Sequence, residues 1–220
     1  MATVVVTGAN RGIGLEFVKQ YVAKGDKVIA LCRNTSDELS QTSAKVIDKV
    51  DVSSPECLQK ILPTLSDLKI DLLINNAGVF ANETLEKMSV LTLEYQFRVN
   101  AIGPLMVTLM LRQQLVKGAK VAMITSRMGS VTDNHSGGYY GYRMSKSALN
   151  IAGVSLAHDL KEQDVAVALL HPGYVQTEMV NYTGDIPAAV AVERLMQRIE
   201  ELNLNNTGTF WHSNGEVLPW

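Results

Sequence analysis

Tyr142 and Lys146 stand four residues apart in Tyr142-Arg143-Met144-Ser145-Lys146, a spacing that on a helix puts both side chains on one face, about one turn apart. A free phenol titrates near pH 10 and is a poor base at neutral pH. An ammonium beside it favours the phenolate, and lowering a pKa by one unit corresponds to about 1.36 kcal/mol. On its own the pattern also fits a surface Tyr/Lys pair on an amphipathic helix. Ser126 follows the apolar run Val121-Ala122-Met123-Ile124 and so falls at a strand end, where open α/β sheets bind ligands. A hydroxyl there can donate to a carbonyl oxygen as negative charge develops on it.

A second chemical feature lies near the start of the chain. Thr7-Gly8-Ala9-Asn10-Arg11-Gly12-Ile13-Gly14 follows Val4-Val5-Val6. Gly8, Gly12 and Gly14 allow a tight strand-to-helix turn and let the backbone approach a pyrophosphate with no Cβ in the way. The helix expected to open near Gly12 would turn its unpaired N–H groups and positive dipole end toward that anion. An ordinary tight turn has the same composition, so the loop alone is a weak signal.

The elements that must position these groups alternate along the chain. Apolar, β-rich runs at 3–7, 27–32, 45–50, 70–74, 119–125, 165–171 and 209–211 read as strands. Helix-period segments read as helices over 13–24, 54–65, 90–117, 141–163 and 187–201. The 90–117 segment is expected to bend at Gly103-Pro104, because proline removes a helical donor. Leu72-Leu73-Ile74 and Val165-Ala166-Val167-Ala168-Leu169-Leu170 are continuously apolar, as strands are when helices cover both sheet faces. The pattern predicts an α/β fold, a Rossmann-type doubly wound parallel sheet of about seven strands forming a single domain over 1–220.

Bulk properties narrow the function. Hydrophobic residues make up 46% and charged residues 19% of the 220 residues, and the net charge is −2. That balance fits a globular domain and gives no reason to expect nucleic acid or an anionic membrane as partner. Cys32 and Cys57 match no zinc or redox spacing and read as reduced thiols in a cytoplasmic protein, with Met1-Ala2 running straight into a strand. The histidines His135, His158, His171 and His212 show no metal-ligand spacing, and no metal is expected. His171, ending an apolar strand, reads as a hydrogen-bonded structural residue. Helices 90–117 and 141–163 could bury outer faces in a homodimer or homotetramer, or could face solvent.

Two further stretches, Asn75-Asn76-Ala77-Gly78 and Pro172-Gly173-Tyr174-Val175-Gln176-Thr177, complete a set with the glycine loop and the Tyr/Lys pair. In this order and spacing the set resembles the short-chain dehydrogenase/reductase family over the whole chain. Thr125 to Ser130 and Tyr142 to Asn150 resemble sniffer-type carbonyl reductases and bacterial C-factor. The resemblance implies hydride transfer between a nicotinamide and a small carbonyl or alcohol substrate. Tyr142 would be the acid or base, and Lys146 would lower its pKa and hold the nicotinamide ribose. Asn100 would hold a water that resupplies protons, though an asparagine before Gly103-Pro104 also fits a simple helix bend. Ser126 precedes Tyr142 by more residues than the family's serine usually does, which leaves Ser130 as a rival. Likeness to C-factor also admits a signalling protein that binds the dinucleotide with turnover secondary.

Cofactor choice can be argued from charge. NAD sites place a carboxylate at the end of the second strand, whereas the 2′-phosphate of NADP needs a cation. Here that strand ends Ala30-Leu31-Cys32-Arg33-Asn34, and Arg33 together with Arg11 of the glycine loop would favour NADP(H) over NAD. Asp37 and Glu38 follow closely and would dilute the effect. By position in the family, Asn10 and Ile13 contribute with the glycine loop. Asp51 and Val52 would hold adenine, although Asp51 could instead cap a helix near Ser54. Asn75, Ala77 and Gly78 would line the central nucleotide site. Pro172, Gly173, Val175 and Thr177 would contact the carboxamide, although Pro-Gly is also a common turn.

Overall fold

The computed structural model describes residues 1–220. The elements run β1 (Thr3–Thr7), α1 (Gly12–Ala23), β2 (Lys27–Leu31), α2 (Asp37–Ser40), β3 (Lys45–Ile47), α3 (Pro55–Leu65) and β4 (Ile70–Asn75). They continue α4 (Val90–Phe97), α5 (Gly103–Leu111), β5 (Leu115–Ile124), α6 (Tyr140–Asp159), β6 (Ala166–His171), β7 (Val175–Gln176), β8 (Ile186–Pro187), α7 (Ala188–Glu201) and β9 (Phe210–His212). Seven strands form one sheet in the order β3-β2-β1-β4-β5-β6-β9, every neighbouring pair parallel. This is a Rossmann-type α/β fold.

Alternation along each strand feeds two cores. Val4 and Val6 of β1, with Ala122 and Ile124 of β5, pack with Leu15, Phe17 and Val18 of α1 and Val192, Leu195 and Ile199 of α7. Val5, Val121 and Met123 point the other way, against Leu58 of α3, Val107 and Leu111 of α5, and Leu149 of α6. Burial on both faces explains why the strands are apolar without interruption. Chain order reverses between β1 and β4, and such a switch opens a crevice at the carboxyl ends of the strands.

Three expectations need correction. The 90–117 helix is α4, a π-helical turn at Arg98–Ile102 and then α5; it closes in a 3₁₀ turn at Arg112–Gln114. Leu115 to Lys117 belong to β5, with Leu115 paired to Ile70, because apolar residues at a helix end serve a strand equally well when a pairing edge is available. At Gly103-Pro104 the π turn gives way to α5, and Pro104 sits in the first turn of that helix, where its missing N–H is tolerated. β3 stops at Ile47, since Lys49 takes a left-handed φ of 57° and turns the chain. The short helix α2 and the β7–β8 pair have no counterpart in the periodicity of the sequence. No helix is long and apolar enough to cross a membrane.

Candidate active site

A cleft of about 1190 Å³ lies over the carboxyl ends of the central strands, lined by residues from the glycine loop, β5, α6, β6 and the segment from Pro172 to Asp185. At one end the β1–α1 turn is packed so tightly that glycine is required. A Cβ on Gly8, whose φ is +65°, would stand 2.8 Å from the Ala77 Cα. A Cβ on Gly14 would meet the Gly8 carbonyl oxygen at 2.1 Å and the Asn76 Nδ2 at 2.5 Å. No side chain caps α1 at Arg11, so its first-turn N–H groups are free to face an anion. Gly8, Asn10, Arg11, Gly12 and Ile13 line the cleft, while Gly14 lies beneath it as packing.

Asn75 and Asn76 divide between two sides, as consecutive residues at a strand end do. Asn75 is buried away from the cleft, donating to Thr108 Oγ1 at 3.0 Å and leaving its Oδ1 without a partner. Its side chain is therefore not brought to the nucleotide crevice. Asn76, not among the residues expected there, lines the cleft and donates to the carbonyls of Thr7 (3.1 Å) and Gly8 (3.2 Å). Thr7 Oγ1 accepts from the N–H groups of Asn76 and Ala77, each at 3.1 Å. Strand alternation was the signal that only one of the two asparagines could face a ligand.

At the other end of the cleft, α6 carries Tyr142 and Lys146 on one face. Phe80 packs edge-on against the Tyr142 ring at 4.9 Å, and Lys146 Nζ lies 5.8 Å from that ring's centre. The ammonium donates to the Ile124 carbonyl at 2.9 Å. Burial pushes the Lys146 ammonium down to about 8. It pushes the Tyr142 phenol up to about 12, with the Ser126 hydroxyl opposing. The phenol is thus not held below its ordinary value in the protein alone: desolvation of the phenolate outweighs the Ser126 hydrogen bond, and the Lys146 ammonium is turned toward a carbonyl.

Ser126 lines the cleft and accepts from the Met128 N–H at 3.1 Å. Ser130 is buried outside it, accepting from the Asp133 N–H at 3.1 Å. Only Ser126 is brought beside Tyr142. Asn100 occupies the π turn, fully buried. Its Oδ1 accepts from the Val79 N–H at 2.8 Å, and its Nδ2 donates to the Val79 carbonyl at 2.9 Å and Ser145 Oγ at 3.0 Å. It sits close to the ammonium: a Cβ on the intervening Gly78 would lie 3.3 Å from Asn100 Oδ1 and 3.8 Å from Lys146 Nζ. π turns inside α-helices often occur at functional sites.

The two arginines do not converge. Arg11 pairs with Glu178 at 2.5 Å at the rim of the large cleft. Arg33 donates to the Tyr95 hydroxyl at 2.8 Å and lines a smaller pocket of about 80 Å³ with Asp51, Val52, Ala77 and Gly78. The Asp51 carboxylate accepts from the N–H and hydroxyl of Ser53, at 2.9 and 2.7 Å, while Ser54 caps α3. Pro172, Gly173, Val175 and Thr177 all line the large cleft. So does His171, edge-to-face with His212 at 4.9 Å. His171 is not the hydrogen-bonded residue expected: its Nδ1 has no partner, and burial pushes the imidazole down to about 3.

Residues 2–187 match the short chain dehydrogenase family model. A 1-hydroxy-2-glutathionyl-2-methyl-3-butene dehydrogenase of Rhodococcus sp. (strain AD45) is 36% identical over the full length of both chains. C-signal of Myxococcus xanthus is 42% identical over 69% of this chain and 93% of its own. Among solved structures, NADPH-bound carbonyl reductase from chicken fatty liver superposes with a TM-score of 0.88 at 26% identity, covering 100% of this chain and 99% of that one. With its β1–α1 glycine turn, its parallel sheet and its Tyr142/Lys146 helix, the chain belongs to the short-chain dehydrogenase family of oxidoreductases.

Proposed function

We propose that the chain is an NADP(H)-dependent carbonyl reductase, working in reverse as an alcohol dehydrogenase on a small-molecule CH–OH substrate. The observation that carries this reading is the convergence of Ser126, Tyr142 and Lys146 on one cleft that has the glycine turn at its other end. A phenol there is protonated at neutral pH, which suits a group that must give a proton to a carbonyl oxygen. Bound NADPH would supply a hydride from its nicotinamide C4 to the carbonyl carbon. Ser126 Oγ–H donates to the carbonyl oxygen and Tyr142 delivers its proton there, while the nearby Lys146 charge stabilises the phenolate left behind. Both amide protons of Asn100 are engaged. We assign Asn100, buried close to the ammonium, to holding a proton-relay water.

The residues fit a phosphorylated dinucleotide. The glycine turn, which has no room for a Cβ at Gly8 or Gly14, leaves the first-turn N–H groups of α1 uncapped for a pyrophosphate, and β2 ends in Arg33 with no carboxylate partner. Glu38, one of the two acids that follow β2, pairs with Lys19 at 2.6 Å. The named relative's 1-hydroxy substrate supports CH–OH chemistry. The open cleft supports broad acceptance of aldehydes, ketones and quinones. NADPH oxidation across such a panel, with NADH in parallel, tests the reading: Tyr142→Phe should lose at least about a thousandfold in kcat. Equal rates with both cofactors refute the arginine argument, and an active Tyr142→Phe protein refutes the assignment. Identity to C-signal favours a second reading, a dinucleotide-binding signalling protein. Signalling activity retained in Tyr142→Phe, with reductase activity absent from both proteins, would select it.

A further inference from the structure

Glu83 is a carboxylate buried to 3% exposure with no cation partner, outside the cleft and far in sequence from Tyr142. Burying a charge without an opposite charge is unfavourable unless hydrogen bonds and dipoles compensate. One Glu83 oxygen accepts from Gly141 N–H at 3.2 Å and the other from Gln96 Nε2 at 2.5 Å. Its main-chain carbonyl accepts from Tyr139 N–H at 3.0 Å. Both main-chain donors belong to the start of α6, immediately ahead of Tyr142.

That helix lacks a cap of its own. Tyr139, at its N-terminus, is left-handed with φ 53°, makes no side-chain cap bond, and is followed by no acidic residue in the first turn. Glu83 supplies the missing acceptor and negative charge from another part of the chain. The fit is close: a Cβ on Gly141 would stand 2.3 Å from Gln96 Nε2 and 3.1 Å from Glu83 Oε1. The same loop presses Phe80 against the rings of Tyr142 and Tyr139, at 4.9 and 5.4 Å. Gln96 Oε1 in turn accepts from Ala81 N–H at 3.0 Å, which fixes the Gln96 amide so that its Nε2 faces Glu83.

We infer that Glu83 is a positioning residue for the reaction: bridged to Gln96, it locks the first turn of α6 and so sets where the Tyr142 hydroxyl lies. The inference rests on the proposed reductase reading, in which Tyr142 gives the proton. A displacement of about 1 Å at a proton donor is enough to cost on the order of a hundredfold in rate.

Substitution can separate this role from bulk stability. In Glu83→Gln one amide must face another donor, either Gln96 Nε2 or Gly141 N–H. In the swap Glu83→Gln/Gln96→Glu the bonds that link Gly141, position 83, position 96 and Ala81 can all be remade, and only the long 3.5 Å bond from Gln96 Nε2 to the Thr92 carbonyl is lost. The amide then at position 83 accepts from Gly141 N–H and donates to the carboxylate then at position 96, which still accepts from Ala81 N–H. Glu83→Gln should lower kcat between about tenfold and a hundredfold while KM for NADPH stays within about twofold, and the swap should recover at least about tenfold of the loss. Residue-resolved amide exchange should show Gly141 N–H exchanging faster in Glu83→Gln and returning toward the wild-type rate in the swap. Wild-type kcat in Glu83→Gln, or a loss the swap leaves unrepaired, overturns the inference. If the wild-type protein reduces no carbonyl compound, the reductase reading fails, and unchanged Gly141 exchange would separately refute the lock.

Discussion

Replacing Lys146 by Met should stabilise the folded protein at neutral pH while removing its activity. Lys146 is 4% exposed, its one hydrogen bond goes to the Ile124 carbonyl, and no carboxylate pairs with it. Its ammonium is pushed from 10.5 down to about 8. The difference between those two values corresponds to roughly 3 kcal/mol disfavouring the charged group in the folded state. Met fills similar volume without charge but leaves the Ile124 carbonyl short of a donor, a loss of about 1–3 kcal/mol. The balance at pH 7 favours Lys146→Met by up to about 2 kcal/mol, which for a chain of this size is up to about 8 °C in Tm. The sign changes with pH. The folded lysine has the lower pKa, so between pH 8 and 10.5 the unfolded chain binds more protons and wild-type stability rises relative to the variant. Near pH 10.5 the penalty has gone and wild type should be the more stable by about 1–3 kcal/mol. Urea titrations of both proteins at about pH 7, 9 and 10.5 test this, and taking their difference cancels groups common to both, including Tyr142. A Lys146→Met protein less stable at pH 7, or a stability gap that does not move with pH, would refute the claim that Lys146 is an uncompensated buried charge.

Gly14→Ala should cost more than ordinary overpacking, above about 3 kcal/mol, because its Cβ would lie 2.1 Å from a main-chain oxygen; a fall in Tm together with lost NADPH fluorescence enhancement would show it. Arg33→Gln should raise KM for NADPH at least about tenfold and leave NADH nearly unchanged, as two-cofactor kinetics would reveal. His171 carries a depressed pKa of about 3, so the unfolded chain binds the extra proton between pH 6.5 and 3. Its contribution to stability should therefore fall by about 1.4 kcal/mol per pH unit below about 6.5, and His171→Gln should flatten the acid limb of the urea midpoint against pH.

The sheet was legible because its strands carry the same message at every residue. Val4-Val5-Val6 and Leu72-Leu73-Ile74 are apolar on both faces, and a chain with helices between such runs has few ways to cover them. The 90–117 stretch misled because apolar residues do not say whether they cover a sheet as helix or extend it as strand. Leu115 joined β5 only because Ile70 offered an edge to pair with. At the site, residue identity located Ser126, Tyr142, Lys146 and the glycine turn. What it could not assign was direction: Asn75 and Asn76 have the same composition and opposite surroundings, decided by which side of β4 each leaves.

Electrostatics were the least legible, for a related reason. The four-residue spacing of Tyr142 and Lys146 argues for a lowered phenol pKa only if the ammonium turns toward the phenol. In the fold the ammonium turns to the Ile124 carbonyl and both groups are buried, so desolvation moves the phenol up and the ammonium down. The phenol thus stays protonated at neutral pH, as the proposed proton donor must be before it meets a carbonyl, while an ammonium at about 8 stays mostly charged there. The charge separation would then arise only with the phenolate, when an ammonium nearby has something to stabilise. Glu83 follows the same logic at the other end of the first turn. Nothing in Asn82-Glu83-Thr84 distinguishes that glutamate from a surface one, since its partners Gly141 and Gln96 are supplied by α6 and α4, and only their convergence makes a buried carboxylate tolerable at the start of the helix that carries Tyr142.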